Sequence, residues 1–290
     1  MIEHRPGFLR DEILGLIKPG IEVAVFDTET TGLKPNENDR IIEFAAMLFD
    51  VTENYNMTPK EKIQLYIKPP FVVENKIVEL TGITNEFLED KPTEDDPNEF
   101  NGLTPVEEIF EILSGADVCV GHNVGFDVRF VDATMKRHGK PSPFKATADT
   151  LKMARDLIPK EQVENHKNGT LVKAMHLDKG IEHFHSAIDD VLGTARLLQK
   201  FLWFYRDQPD VEIQFEQLRV ESVKRWQKDD LVRLYINTNK GSLYFGQSED
   251  GFYIGSKTID IDRIDQEKLI SDVLEMTETD KNTLMDYGKE

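Results

Sequence analysis

A short apolar run near the N-terminus, residues 23–26, leads directly into a polar segment that ends at Gly32. Short β-branched runs of this kind are typical of buried strands, and a glycine after such a run predicts a turn. Because side chains alternate along a strand, Asp27 and Glu29 share one face. Neighbouring carboxylates repel each other unless they bind a divalent cation, which prefers oxygen ligands. The spacing alone therefore predicts, with about equal weight, a metal site or a solvated strand end.

The order of the predicted elements indicates a fold class. Further strands are predicted at residues 41–50, 63–67 and 118–123. An acidic segment with two prolines, residues 86–102, predicts a surface loop. Helical patterns lie at residues 78–82, 104–113, 126–138, 147–157 and 185–204. Strands that come first and then alternate with helices predict an α/β protein with a mixed sheet and helices on both faces.

The pattern changes after about residue 206. A β-hairpin is predicted at residues 232–245, a third strand at 251–254 and a helix at 266–274. We therefore predict a first domain at residues 1–206. Residues 207–290 are predicted to form a small α+β or β-rich accessory domain of unknown role.

The charge of the chain narrows the classes of function. Among 290 residues, 35 Lys and Arg stand against 54 Asp and Glu, which gives a net charge of −19. This balance excludes a protein that coats nucleic acid by bulk electrostatics, because phosphate binding needs clustered cations. An enzyme whose carboxylates hold a cation against a phosphate remains compatible with it.

The cysteine content and the apolar runs limit the setting of the protein. The single cysteine, Cys119, excludes an intramolecular disulfide framework and a zinc site built from several cysteines. Apolar runs stay well below the roughly 20 residues that a membrane-spanning helix needs, and residues 1–6 lack the pattern of a signal peptide. We therefore expect a cytoplasmic protein without membrane association.

Two further motifs carry candidate metal ligands. Asp127 follows a predicted buried strand and starts a predicted helix, and Asp190 lies near the start of the last long helix of the first domain. Taken singly, each has an ordinary alternative, because the helix dipole stabilises an acidic residue in the first helical turn. His185 alone also fits helix capping or core packing.

The combination of the three motifs is specific. The motifs are Asp-x-Glu-Thr-Thr-Gly-Leu from Asp27, Gly-His-Asn-x-x-Phe-Asp from Gly121 and His-x-Ala-x-x-Asp from His185. Together they resemble the DEDDh 3′→5′ exonucleases, the DnaQ-like superfamily that includes the proofreading subunit of bacterial replicative polymerases. The resemblance spans residues 22–202. Further segments that are similar to the family lie at residues 39–46, 80–84 and 148–151.

Spacing identifies the histidine of the third motif. His185 and Asp190 have the His-x-x-x-x-Asp spacing of the family, whereas His183 has Ile188 at the same offset. The position that tyrosine-type relatives use holds no tyrosine. The resemblance therefore points to His185 and Asp190, and to an active enzyme rather than a degenerate binding module.

The resemblance implies a ribonuclease-H-like fold, with a mixed five-stranded sheet flanked by helices. It also implies phosphodiester hydrolysis with two divalent metal ions, Mg²⁺ or Mn²⁺. By analogy, Asp27 bridges both ions, and Glu29, Asp127 and Asp190 complete their ligands. His185 takes a proton from the attacking water, a role that suits an imidazole with its ordinary pKa of about 6.5. The implied product is a nucleoside 5′-monophosphate.

Substrate contacts are implied as well. The backbone around Thr28 and Thr30 is expected to meet the terminal nucleotide, and Leu33 to wedge against its base. Phe126 is expected either to line the pocket or to be an ordinary core residue. Asn123 is expected either to orient the substrate or to cap the turn before the next helix.

Three functions stay open at the level of sequence. The first is a 3′→5′ exonuclease on a single-stranded or frayed 3′ end of DNA, in proofreading or end trimming, with any polymerase on a separate chain. The second is a ribonuclease that trims RNA 3′ ends or oligoribonucleotides, although the length of the chain favours DNA. The third is a scaffold or partner-binding role of residues 207–290. Aromatic residues that could contact bases or a protein there, or form the core of the module, are Tyr235, Tyr244, Phe245, Phe252 and Tyr253.

Overall fold

The computed structural model describes residues 4–35, 38–99, 101–181, 186–208, 218–228, 231–248, 251–256, 268–269 and 272–273. The chain forms two compact units, Met1–Asp210 and Val211–Glu290. The division into an enzymatic domain at residues 1–206 and an accessory domain at residues 207–290 stays a prediction.

A mixed five-stranded sheet is the frame of the first unit. Its strands are β1 (Glu22–Thr30), β2 (Ile41–Val51), β3 (Met57–Tyr66), β4 (Val118–Gly121) and β5 (Thr147–Asp149), in the order β3-β2-β1-β4-β5. Strands β1, β2 and β3 form an antiparallel meander, whereas β4 runs parallel to β1 and β5 parallel to β4. Strand β1 is buried on both faces, which explains why its first half is continuously apolar.

Helices cover both faces of this sheet. They are α1 (Arg10–Leu16), α2 (Asn75–Thr81), α3 (Asn85–Leu88), α4 (Pro105–Gly115), α5 (Gly125–Arg137), α6 (Thr150–Leu157), α7 (Asn168–Ala174) and α8 (Ala187–Arg206), with a 3₁₀ turn at Lys160–Gln162. One core joins Val23 and Val25 to α6, α7 and α8, and the other joins Ala24 and Phe26 to α4 and α5. This arrangement confirms the predicted ribonuclease-H-like fold class.

None of the helices in the described ranges combines the length and the apolar character needed to cross a membrane. The longest, α8, is amphipathic. Its apolar stripe faces the core, and charged residues such as Arg196 and Lys200 lie along its other side.

Two helix ends follow from local sequence. Thr104 Oγ1 accepts a hydrogen bond from the N–H of Glu107 at 3.2 Å, and the Glu107 carboxylate accepts from the N–H of Thr104 at 3.0 Å. This capping box, with Pro105 in the first turn, starts α4 where the sequence predicts it. Helix α2 ends at Gly82, whose φ of +73° lies in the left-handed region that favours glycine.

Two predicted elements were wrong in detail. Residues 147–149 form strand β5 rather than the first turn of a helix, because they pair in parallel with residues 119–121. Asp149 then caps α6 by accepting from the N–H of Leu151 at 2.8 Å. The predicted loop at residues 86–102 is partly helical, because Thr84 caps the short helix α3. Helices α1 and α7 had no counterpart in the sequence prediction.

The described part of the second unit contains a four-stranded antiparallel sheet. Its strands are β6 (Val220–Lys228), β7 (Leu231–Thr238), β8 (Gly241–Ser248) and β9 (Gly251–Ser256), in that order across the sheet. Strands β7, β8 and β9 confirm the predicted hairpin and third strand, whereas β6 was not predicted. The helix predicted at residues 266–274 lies mostly outside the described residues.

The aromatic residues of this sheet divide between its faces. Phe245 is buried in a core with Leu234, Ile236 and Leu243. Tyr235 is 37% exposed, and its ring centroid lies 6.3 Å from that of Tyr244 on the neighbouring strand. The side chains of Phe252 and Tyr253 lie outside the described residues.

Candidate active site

The end of β1 presents two carboxylates on one face of the sheet. Asp27 lies opposite Ala45 of β2, and Glu29 lies opposite Glu43. Both β1 residues are half-buried. The prediction that Asp27 and Glu29 share a face is therefore confirmed by the register of the sheet.

Helix α8 brings a third carboxylate to this position. Asp190 lies in its first turn, where its N–H donates to the carbonyl of Ser186 at 3.0 Å. One carboxylate oxygen from each of Asp27, Glu29 and Asp190 lies within 4.8 Å of the other two. The fold thus joins residues of the first and third sequence motifs in one acidic cluster.

Burial and mutual repulsion act together on this acidic cluster. Burial, followed by the charges of Asp127, Asp190 and Glu29, raises the pKa of Asp27 well above its usual range. Burial, followed by the charge of Asp190, raises the pKa of Glu29 to about 8. Every charge that contributes to these two shifts belongs to another carboxylate. The acidic cluster therefore has an excess of negative charge that a cation would relieve.

The fourth predicted ligand, Asp127, lies beside the acidic cluster in the first turn of α5. Its Oδ1 accepts from the N–H of Thr28 at 3.0 Å and from the Thr28 hydroxyl at 2.7 Å. Burial raises the pKa of Asp127 to about 7, against the two hydrogen bonds from Thr28, which lower it. Asp127 is thus fixed to the residue that follows Asp27, and its role as a metal ligand stays a prediction.

The end of β1 and the turn after it carry three of the predicted substrate contacts, Thr28, Thr30 and Leu33. Thr30 is buried, and its hydroxyl donates to the carbonyl of Gly32 at 2.8 Å. A Cβ at Gly32 would collide with the Asp39 carboxylate, so this turn needs glycine for close approach. Leu33 projects from the turn and is 78% exposed. A contact of substrate with Thr28, Thr30 or Leu33 stays a prediction.

The turn before α5 carries the other two. Asn123 is exposed with a φ of +67°, and its N–H donates to Asp149 at 2.9 Å. The left-handed backbone at Asn123 makes the turn between β4 and α5 tight. Phe126 is partly buried against Phe130, with ring centroids 5.0 Å apart. His185 lies outside the described residues.

The sequence did not predict the residues that hold the backbone of the site in place. Asn168 of α7 donates from Nδ2 to the carbonyl of Asp190 at 3.0 Å and to the hydroxyl of Thr194 at 2.8 Å. Gly193 allows this approach, because a Cβ there would lie 2.8 Å from Asn168 Oδ1. A lone asparagine in a polar segment gives no local signal of this contact.

His122 supports the turn before α5 in a similar way. Its Nε2 lies 2.8 Å from the carbonyl of His166, and its Nδ1 lies 3.0 Å from the hydroxyl of Thr150. Burial lowers the pKa of His122, so the neutral ring is favoured. A carbonyl only accepts, so Nε2 donates to His166 and Nδ1 accepts from Thr150.

A ribonuclease-H-like sheet with carboxylates clustered between its central strand and its longest helix indicates the nuclease class of proteins. The sequence matches the RNase T family, described as Exonuclease, over residues 24–198. This match covers more than half of the sequence, and the chain belongs to this exonuclease family.

Curated relatives match more than half of the chain. The PolC-type DNA polymerase III of Streptococcus pyogenes is 33% identical over 189 residues, which cover 65% of this chain and 12% of that protein. The PolC-type DNA polymerase III of Lactococcus lactis is 34% identical over 179 residues, which cover 61% and 10%. The chain thus spans about a tenth of the length of these relatives.

A solved structure is also similar. Exonuclease I of E. coli in complex with a 5cy-dT13 oligonucleotide has 22% sequence identity and a TM-score of 0.49. The similarity covers 64% of this chain and 43% of that one.

Proposed function

We propose that this chain is a 3′→5′ exonuclease that hydrolyses DNA ends to nucleoside 5′-monophosphates. The observation that carries the proposal is the acidic cluster of Asp27, Glu29 and Asp190, with carboxylate oxygens within 4.8 Å of one another. Membership of the exonuclease family supports phosphodiester hydrolysis at a chain end. The two relatives are DNA polymerases by name, which supports DNA as the substrate.

The donor atoms of the site fit divalent cations. Carboxylate oxygens are the ligands that Mg²⁺ and Mn²⁺ prefer. The raised pKa values of Asp27 and Glu29 arise from burial and from other carboxylates, so the site has too little positive charge of its own. We assign two divalent ions to Asp27, Glu29, Asp190 and the neighbouring Asp127.

The residues of the chain hold and orient the reactants. When bound, the two metal ions stabilise charge on the attacking and leaving oxygen atoms of the phosphodiester. Asp27 and Glu29 keep their positions because the pairing of β1 with β2 includes both residues, while the first half of β1 also pairs with β4. In our proposal His185 accepts the proton of the attacking water on a ring nitrogen. The exposed Leu33 contacts the terminal base, and the 3′ oxygen of the penultimate nucleotide leaves.

Degradation of 5′-labelled single-stranded DNA and RNA of one sequence, in Mg²⁺, Mn²⁺ or EDTA, tests this proposal. We expect a metal-dependent ladder on DNA, because a 5′ label stays on products trimmed from the 3′ end. We expect RNA to be largely spared. A strand with phosphorothioate linkages at its 3′ end is the blocked substrate. The Asp190→Asn variant is the inactive control.

Other outcomes would overturn parts of the proposal. Immediate release of labelled mononucleotide would show that hydrolysis starts at the 5′ end, opposite to the proposed direction. Preferential degradation of RNA would support the ribonuclease that trims RNA ends. If folded protein with metal cleaved neither strand, the proposal would fail, and a binding role of residues 207–290 would become the leading function.

A further inference from the structure

A buried glutamate lies next to the acidic cluster without belonging to it. Glu43 interrupts the apolar run of β2 and is 1% exposed. Its neighbours across the sheet are Glu29 on β1 and Tyr66 on β3. Burying a carboxylate is costly unless hydrogen bonds or opposite charges compensate it. The partners of Glu43 therefore show what it does.

Two donors from two elements bind the Glu43 carboxylate. Its Oε1 accepts from Gln64 Nε2 at 2.7 Å, and its Oε2 accepts from the N–H of Ala187 at 3.2 Å. Tyr66 lies opposite Glu43 across the sheet, and burial together with the charge of Glu43 raises the pKa of the Tyr66 hydroxyl to about 12. Gln64 donates its second hydrogen to Tyr66 at 2.8 Å. Each oxygen of the buried Glu43 carboxylate thus accepts a hydrogen bond.

The contact with Ala187 supplies what the start of α8 lacks. The first N–H groups of a helix have no partner within the helix and need an acceptor. The residue before α8, Ser186, makes no side-chain cap. Glu43 provides the acceptor from β2 instead, and its negative charge lies at the positive end of the helix dipole.

We propose that Glu43 is a positioning residue that fixes the first turn of α8, and thereby Asp190, against Asp27 and Glu29. Asp190 follows Ala187 by three residues in the same helical turn, so a shift of this turn moves its carboxylate directly. The distance that matters is short, because the acidic cluster spans less than 4.8 Å. This inference rests on the proposed metal-dependent function of the acidic cluster.

The Glu43→Gln variant tests the proposal at nearly unchanged volume. Its amide oxygen accepts from only one of the two donors unless Gln64 turns its own amide to present its oxygen, and in either arrangement the start of α8 loses the negative charge of Glu43. We expect Mn²⁺ affinity, measured by calorimetry, to fall roughly 10- to 100-fold, as for other residues that orient ligands. We expect kcat on DNA to fall with little change in KM. Amide hydrogen exchange at Ala187 should become faster.

Two further variants separate positioning from charge. Glu61→Gln removes a charge from the exposed side of β3 and should leave all three measurements unchanged. The double variant Glu43→Gln/Gln64→Glu restores the hydrogen-bond pattern, because the amide at position 43 then accepts from Ala187 and donates to a carboxylate at position 64. We expect it to recover most of the lost Mn²⁺ affinity.

The outcomes are distinguishable from failure of the proposed function. Unchanged Mn²⁺ affinity and unchanged Ala187 exchange in Glu43→Gln would overturn the positioning role, even in an active enzyme. A lower melting temperature with unchanged Mn²⁺ affinity would also overturn it and leave Glu43 as a purely structural residue. If Glu43→Gln does not fold, failure of the double variant to regain Mn²⁺ affinity would contradict positioning. Absence of nuclease activity in the wild type leaves the exchange and Mn²⁺ measurements interpretable.

Discussion

Helices α5 and α8 each carry an aspartate to the end of β1. The sheet binds α5 through the side chain of its aspartate and α8 through a backbone N–H of the helix. On α5, Asp127 itself accepts two hydrogen bonds from Thr28. On α8, Glu43 binds the first N–H of the helix rather than Asp190. Asp127 is thus tied to β1 through its carboxylate, whereas Asp190 is tied to β2 through the backbone of its helix. Asp190 contributes an oxygen to the acidic cluster, and Asp127 lies beside it.

The largest effect is expected at Asp27, which feels the charges of both Asp127 and Asp190. Asp27→Asn removes the carboxylate that lies close to the aspartates of both helices. We expect single-turnover hydrolysis to fall roughly 10³-fold or more, because metal ions contribute several kcal/mol to charge stabilisation. Asp50→Asn, at the exposed end of β2, is the matched control. Turnover close to that of the wild type would remove Asp27 from the site.

A smaller effect, confined to α5, is expected for Thr28→Val. This variant keeps the N–H donor to Asp127 and loses the hydroxyl, so we expect hydrolysis to fall roughly 10- to 100-fold. Loss of a hydrogen bond to the ionised carboxylate raises the pKa of Asp127 from its wild-type value of about 7. The pH–rate profile should therefore move to higher pH. Thr28→Ser should restore both. If Thr28→Val also accelerated amide exchange at Ala187, the two attachments would not be independent.

The pH dependence of stability measures the repulsion within the acidic cluster. Glu29 has an ordinary pKa of 4.5 that the fold raises to about 8, so the folded state holds a proton that the unfolded state loses. Its contribution to stability is present below about pH 4.5 and is lost as pH rises to about 8. Without metal, thermal unfolding should therefore show a loss of several degrees in Tm from Glu29 across this range. Mn²⁺ should stabilise the protein more at pH 8 than at pH 5.

Glu29→Gln is the control for this pH dependence. The variant should lose most of the difference between pH 5 and pH 8 in EDTA, because the amide does not titrate. An equal pH dependence in variant and wild type would assign the effect to other groups.

The smallest effect is expected at the start of α4, which carries none of the predicted site residues. Thr104→Ala removes the capping box of α4 and should lower the free energy of unfolding by about 1 kcal/mol. Hydrolysis and Mn²⁺ affinity should stay unchanged, since α4 contributes to neither helix attachment. Thr104→Ser should retain stability in denaturant titrations, and a change in Mn²⁺ affinity in Thr104→Ala would contradict the independence of the α4 cap from the site.

Local patterns predicted those parts of the fold that depend on neighbouring residues. Strand alternation placed Asp27 and Glu29 on one face, and the Thr104–Pro105 signal located the start of α4. The strand at residues 147–149 escaped because its short pairing with β4 is a tertiary contact, and Asp149 reads equally well as the start of a helix.

The attachments of the site could not be read from the sequence in the same way. Glu43 and Ala187 are 144 positions apart, and the strand and the helix that carry them come together only in the folded protein. A signal was present nonetheless, because a glutamate inside the apolar run of β2 is too costly to bury without a partner. That signal predicts that Glu43 has a partner, and the structure identifies Ala187 and Gln64 as its hydrogen-bond donors.

Cys119 gives the protein a practical property. It is the single cysteine of the chain, it is fully buried in β4, and burial raises the pKa of its thiol to about 12. Thiol reagents react with the thiolate, so this residue is protected from maleimide labelling in the folded state. A cysteine introduced at the exposed Leu33 would then take up a fluorophore at one defined place, without any background substitution, and report optically on the arrival of a strand end.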